Sequence, residues 1–107
     1  MDGKNVITAY FLRVGEDGTQ YRGYLDEIEN ALEPMQNYTG GMIETVSVDE
    51  NISIICGEEA VILGKPLNRA LYNNKKELIT VLAGNLMAVR HKGDEFVSIN
   101  VSVKSYD

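Results

Sequence analysis

Cysteine is almost absent from this 107-residue chain: Cys56 stands alone, so no intrachain disulfide can form. Histidine is as scarce, with His91 the single example, and one thiol plus one imidazole cannot furnish a zinc cage. There is no tryptophan and there are only two prolines, while 44% of residues are hydrophobic and 24% charged, a balance that excludes pervasive disorder. No apolar run approaches the roughly 20 residues that span a bilayer. The polar start Asp2 to Asn5 lacks a basic region feeding an apolar signal segment, so a cytoplasmic location is expected. Basic residues are also in deficit, ten against sixteen acids, and the net charge of −6 disfavours nonspecific binding to nucleic acid or to an anionic membrane. A specific anion site stays open. The length suits a single domain over 1–107.

What is present reads as an α+β domain: a predominantly antiparallel sheet of short strands with one short helix packed on it. Val6 to Val14 is β-branched and aromatic, Gly15 to Gly18 supplies turn residues, and Thr19 onward returns as a second strand, with a bulge expected near Gly23. Asn30 to Glu33 has the pattern of a capping box, which predicts a helix starting at Asn30. Pro34 is tolerated in its first turn, Leu32, Met35 and Tyr38 give it an apolar side, and Gly40–Gly41 close it with a left-handed cap. Met42 to Val48 and Ile52 to Cys56 read as strands around a turn at Asp49 to Asn51, and Ala60 to Leu63 as a further short strand. Gly64 to Tyr72 is expected to be a loop with one helical or 3₁₀ turn. Asn73 and Asn74 make a turn before Leu78 to Leu82, a short strand or helical turn. Leu86 to Arg90 and Glu95 to Val103 form a terminal hairpin through Lys92, Gly93 and Asp94. The stretch Phe96 to Val103 is the edge through which a homo-oligomer would pair.

Charge is unevenly spread. Residues 1–60 hold twelve acids and three bases, residues 61–107 four acids and seven bases, so the halves carry −9 and +3. If folding keeps these on separate surfaces, head-to-tail association or a basic partner is expected.

Several segments together carry a resemblance: Leu32 to Gly41, then Met42, Ile43 and Glu44, then Cys56 to Glu59, then Gly64, Pro66, Asn68, Arg69 and Ala70, and finally Leu82 to Asn85. In this order they resemble a small domain family of unknown function found in bacteriophages, mobile elements and related bacterial genes, with a core at about 30–89 and the G-x-P-x-N-R-A signature at Gly64 to Ala70. Lys65 and Cys56 stand where many relatives are expected to differ. The resemblance implies a cytosolic accessory role, with countering host defence as one form of it, and brings no catalytic pattern.

Arg69 has the planar fork that grips a carboxylate or phosphate, and Asn68 offers a donor and an acceptor beside it. Lys65 would strengthen such an anion pocket, and Gly84 and Asn85 would add backbone donors from a tight turn. The structural counterpart is that Arg69 holds loop carbonyls and Asn68 caps a turn. Neither glycine pair belongs to a phosphate loop or a dinucleotide fingerprint, and no cofactor is implied. Cys56 and His91 show no orienting partner, with Cys56 expected inside and His91 facing solvent; Glu58 and Glu59 read as a solvated turn. Tyr24, Glu27 and Tyr38 are the residues expected to contact a protein partner, through an acidic face that also carries tyrosines.

Two functions from different classes follow. The leading one is a noncatalytic accessory protein that binds and modulates a host macromolecule; the alternative is a protein that sequesters a small anion or nucleotide signal in an Arg69/Asn68 pocket. An enzyme is not expected, because no motif supplies a nucleophile, a base and an oxyanion site together.

Overall fold

Apolar residues in unbroken runs belong to strands covered on both faces, and two such runs form the centre of this fold. The computed structural model describes residues 5–48, 50–73 and 75–99. The turn residues Asp49 and Asn74 and the expected strand residues from Asn100 to Val103 lie outside them. In chain order the elements are β1 (Val6–Leu12), β2 (Tyr24–Glu29), α1 (Leu32–Thr39), β3 (Ile43–Ser47), β4 (Ile52–Gly57), β5 (Leu67–Tyr72), β6 (Leu78–Ala83), β7 (Leu86–Lys92) and β8 (Glu95–Val97). The main sheet runs β2-β1-β7-β4-β3, with β8 also paired to β7, while β5 and β6 form a separate two-stranded ribbon. Every strand pair is antiparallel.

Strands β4 and β7 sit at the centre and pair from Ile52↔Arg90 to Ile55↔Met87. Side-chain alternation sends Ile55, Met87 and Val89, with Ile7, Ala9 and Phe11 of β1, towards Met35 of α1. The intervening residues Ile54, Cys56, Leu86 and Ala88 point the other way, onto Leu82 and Leu71 of the ribbon. The result is three layers, helix, sheet and ribbon, so the domain is α+β and dominated by sheet. Each fully buried aliphatic side chain in these layers contributes about 1.5–3 kcal/mol.

The opening hairpin has the irregularity its pattern predicts. Between the pair Phe11↔Tyr24 and the bridge Val14↔Gln20, two residues (Leu12, Arg13) oppose three (Tyr21, Arg22, Gly23). The ring of Tyr10 lies against Gly23, where a side chain would collide with it.

The helix ends as expected and begins differently. Gly40 takes the left-handed conformation at φ 91°, and the amides of Gly40 and Gly41 both donate to the Gln36 carbonyl. At the other end Ala31, not Asn30, is the N-cap, and no side chain caps it. The capping box does not form, because Asn30 spends its side-chain amide on the Phe96 carbonyl, 3.1 Å away across the sheet. Leu32 is exposed, so the buried side of the helix is narrower than its sequence suggests and rests on Met35 and Thr39.

Two further expectations are corrected. Residues 58–64 are a succession of turns rather than a strand: the Leu63 amide donates to the Glu59 carbonyl and the Lys65 amide to the Ala60 carbonyl, and only Ala60 turns inward. Residues 67–72 are strand β5 rather than a helical turn. A register shift at Asn68, between Leu67 and Arg69, breaks its alternation, and a second shift leaves Ile79 extra on its partner β6, which hides the period of two in both strands.

Candidate functional site

The expected anion-binding residues converge, but on each other. Asn68 is 1% exposed, and its side-chain amide donates to the carbonyls of Leu12 (2.9 Å) and Gly84 (2.7 Å). Its side-chain oxygen accepts from Arg69 Nη1 at 2.7 Å. The same Arg69 nitrogen reaches the Asn68 carbonyl at 3.2 Å, and Nη2 reaches the Tyr21 carbonyl at 3.0 Å. Gln20 donates its side-chain amide to the Asn68 carbonyl, and the Gly84 amide donates to the Pro66 carbonyl at 2.8 Å. These bonds form a clasp that fastens β5 to the end of β1, to the β1–β2 loop and to the turn before β7. A β-ribbon of two strands is at best marginally stable alone, so the clasp and the packing of Leu71 and Leu82 against the main sheet are what hold this one in place. Among the described residues no buried side-chain nitrogen or oxygen lacks a hydrogen-bond partner.

Beside the clasp lies an open groove of about 460 Å³ whose lining includes Glu16, Tyr38, Lys65, Gly84 and Asn85. Neither Asn68 nor Arg69 lines it. Asn85 is committed at both ends of its amide, accepting from the Val14 amide at 3.1 Å and donating to the Tyr38 carbonyl at 3.4 Å. Lys65 crosses the groove with its stem over Gly84 and its ammonium against Gly40; a Cβ at Gly40 would sit 2.7 Å from Nζ. Gly40 closes α1, whose last turn carries no basic residue of its own, so Lys65 brings a cation to the negative end of the helix dipole.

The residues expected to contact a partner divide between two faces. Phe11 stacks on Tyr24 (centroids 5.5 Å apart) and meets Tyr38 edge-on (4.9 Å), so both tyrosines belong to the helix side of the sheet. Tyr38 also donates its hydroxyl to the Leu86 carbonyl at 2.8 Å, and burial raises its pKa above the ordinary tyrosine value. Glu27 is three residues from Tyr24 along β2 and opposite Thr8, which puts it on the other face. One acidic surface carrying both residues does not form.

Cys56 is buried as expected. Burial, followed by the neighbouring Glu44 carboxylate, pushes its thiol up to about 11. His91 is half-buried rather than solvent-facing: its Nδ1 lies 2.8 Å from the hydroxyl of Ser53, a buried residue. Cys56 and His91 thus have separate partners, Glu44 and Ser53. Among the described residues no group of three His, Cys, Asp or Glu side chains could hold a metal ion. No helix of the described residues is long and apolar enough to cross a membrane.

Sequence reasoning missed the outer surface of the ribbon. Tyr72 and Leu78 face each other across its two strands at 56% and 57% exposure, and Leu67, Ile79 and Val81 are exposed with them. Lys75 and Lys76 stand exposed at its tip. The apolar residues were visible in the sequence, but placing β5 in a loop removed the strand that gathers them. A second apolar projection, Val61 to Leu63 with Ile62 at 83% exposure, tops the neighbouring turn.

Fold and surface together define a small, sheet-dominated α+β domain with a clasped ribbon on one face. The chain belongs to the DUF3846 family, a domain of unknown function, whose family model matches residues 10–106. The match extends well beyond the 30–89 core and takes in the opening hairpin from Tyr10 onward, including Leu12, to which the clasp is tied. No curated protein and no solved structure matches the chain significantly.

Proposed function

We propose that this chain is a noncatalytic accessory protein that binds and modulates a host protein, in the phage or mobile-element setting its resemblance implies, and that the ribbon is its binding surface. The observation supporting this is the exposed apolar face of β5 and β6 with lysines at its tip. Apolar residues exposed together on one small element are a surface that burial in a complex would stabilise. The complementary partner surface is apolar at its centre and bears carboxylates where Lys75 and Lys76 arrive. Counter-defence is the role this setting suggests. The alternative, sequestration of a small anion by Arg69 and Asn68, has less support because both side chains are hydrogen-bonded within the protein and lie outside the groove lining.

The test is co-purification from the native host with the unaltered chain and with Leu78→Glu, which places a carboxylate on the face opposite Tyr72, at its tip end. The reading expects a stoichiometric protein bound to the unaltered chain and lost from a folded Leu78→Glu variant. Retention of the same partner by that variant would remove the ribbon from the reading.

A further inference from the structure

The two ends of the main sheet are treated differently. On β2, the bond from the Asn30 amide to the Asn5 carbonyl fixes which residues pair with β1, and by alternation Leu25, Glu27 and Glu29 turn their backbone groups outward. That edge is partly closed. The Glu27 amide is taken by Asp26 Oδ1 at 2.8 Å, the Glu29 carbonyl by the Ala31 amide at 2.8 Å, and Asp26, Glu27 and Glu29 add carboxylates. Charges of this kind keep other strands from adding.

On β3 the opposite holds. The bonds from the Val48 amide to the Ile52 carbonyl and from the Glu58 amide to the Met42 carbonyl share the β3–β4 register, so Met42, Glu44, Val46 and Val48 bond inward. Ile43, Thr45 and Ser47 therefore direct their N–H and C=O groups away from β4, and no strand pairs with them among the described residues. Glu44 is the only charged residue on the strand.

We propose that β3 pairs antiparallel with β3 of a second copy about a two-fold axis at Thr45, joining two main sheets into one. The strand is complementary to itself in this register. Thr45 meets Thr45 of the other copy as a hydrogen-bonded pair, Ile43 meets Ser47 the same way, and Glu44 falls opposite Val46, so the two carboxylates are not directly apposed. A two-fold contact of this kind is closed and stops at the dimer. Of the expected edge Phe96 to Val103, residues 100–103 lie outside the described residues, and within 96–99 β8 already pairs with β7 and the Ile99 amide donates to the Thr8 carbonyl at 2.9 Å.

Sedimentation velocity on the unaltered chain and on Thr45→Lys tests this. Thr45 is exposed and its backbone makes no ladder bond to β4, so the substitution spares the internal sheet while setting two lysines face to face. The expected result is a dimer for the unaltered chain and a monomer for the variant. Amide exchange on the unaltered chain reads the register without any substitution: the Ile43, Thr45 and Ser47 amides should slow about tenfold or more as concentration rises through the dimerisation range. A monomer at up to about 100 μM, a dimer unchanged by Thr45→Lys, or concentration-independent exchange at those amides would each overturn the proposal. Because Leu78→Glu should leave the dimer intact and Thr45→Lys should leave ribbon binding intact, failure of one reading is distinguishable from failure of the other.

Discussion

Asn68 shows how a residue suited to binding can be consumed by folding. Its two donated bonds hold the Leu12 and Gly84 carbonyls in a site closed to water, so Asn68→Ala strands both acceptors and should cost about 2–4 kcal/mol in urea denaturation. Arg69→Ala, at a half-buried site, should cost about 1 kcal/mol. Equal stability of the Asn68→Ala variant and the unaltered chain would contradict the clasp. Gly40 is constrained by its left-handed backbone and by the ammonium of Lys65, so Gly40→Ala should cost about 1–2 kcal/mol. Gly41→Ala, which meets nothing nearby, should stay within about 0.5 kcal/mol. Cys56 makes stability depend on pH in one direction. Its folded pKa, about 11, lies above the ordinary 9.0, so the contribution is intact below pH 9 and is lost as pH rises towards 11. Stability measured across that interval should fall less steeply for Cys56→Ala than for the unaltered chain. The identity of these residues was legible in the sequence; their partners were not, because Leu12 and Gly84 lie 56 and 16 residues from Asn68.

Among the elements, those with strong local signals were legible. The β-branched run of β1, the two glycines after α1 and the apolar run of β7 each fix a backbone state through residues close in sequence. Strand β5 was not legible, because the irregularity at Asn68 breaks its alternation and its pairing depends on β6 and on the clasp. The turns at 58–64 misled in the opposite direction: an apolar run normally signals burial, yet here Val61, Ile62 and Leu63 remain outside. Asn30 illustrates a tertiary bond that displaces a local one. Asn30→Ala should therefore leave helix content unchanged and weaken the attachment of β8, costing about 0.5–1.5 kcal/mol. Faster amide exchange in β8 with α1 unaffected is the expected pattern, and loss of α1 protection alone would restore the capping-box account.

Across the whole molecule, the helix and the ribbon cover opposite faces of one sheet, and the charge asymmetry takes on a location. Carboxylates guard the β2 edge, the tip of the ribbon is basic, and β3 is left nearly uncharged. Composition revealed the imbalance but not this division, which depends on strand order. The Lys65 to Ala70 segment builds the scaffold, and in the proposed function the outer face of the ribbon binds a protein. Native mass spectrometry of the protein isolated from its normal host, under gentle and then denaturing conditions, tests this most directly. The account predicts a stoichiometric protein partner with no small anion retained; a retained anionic small molecule with no protein partner would contradict it.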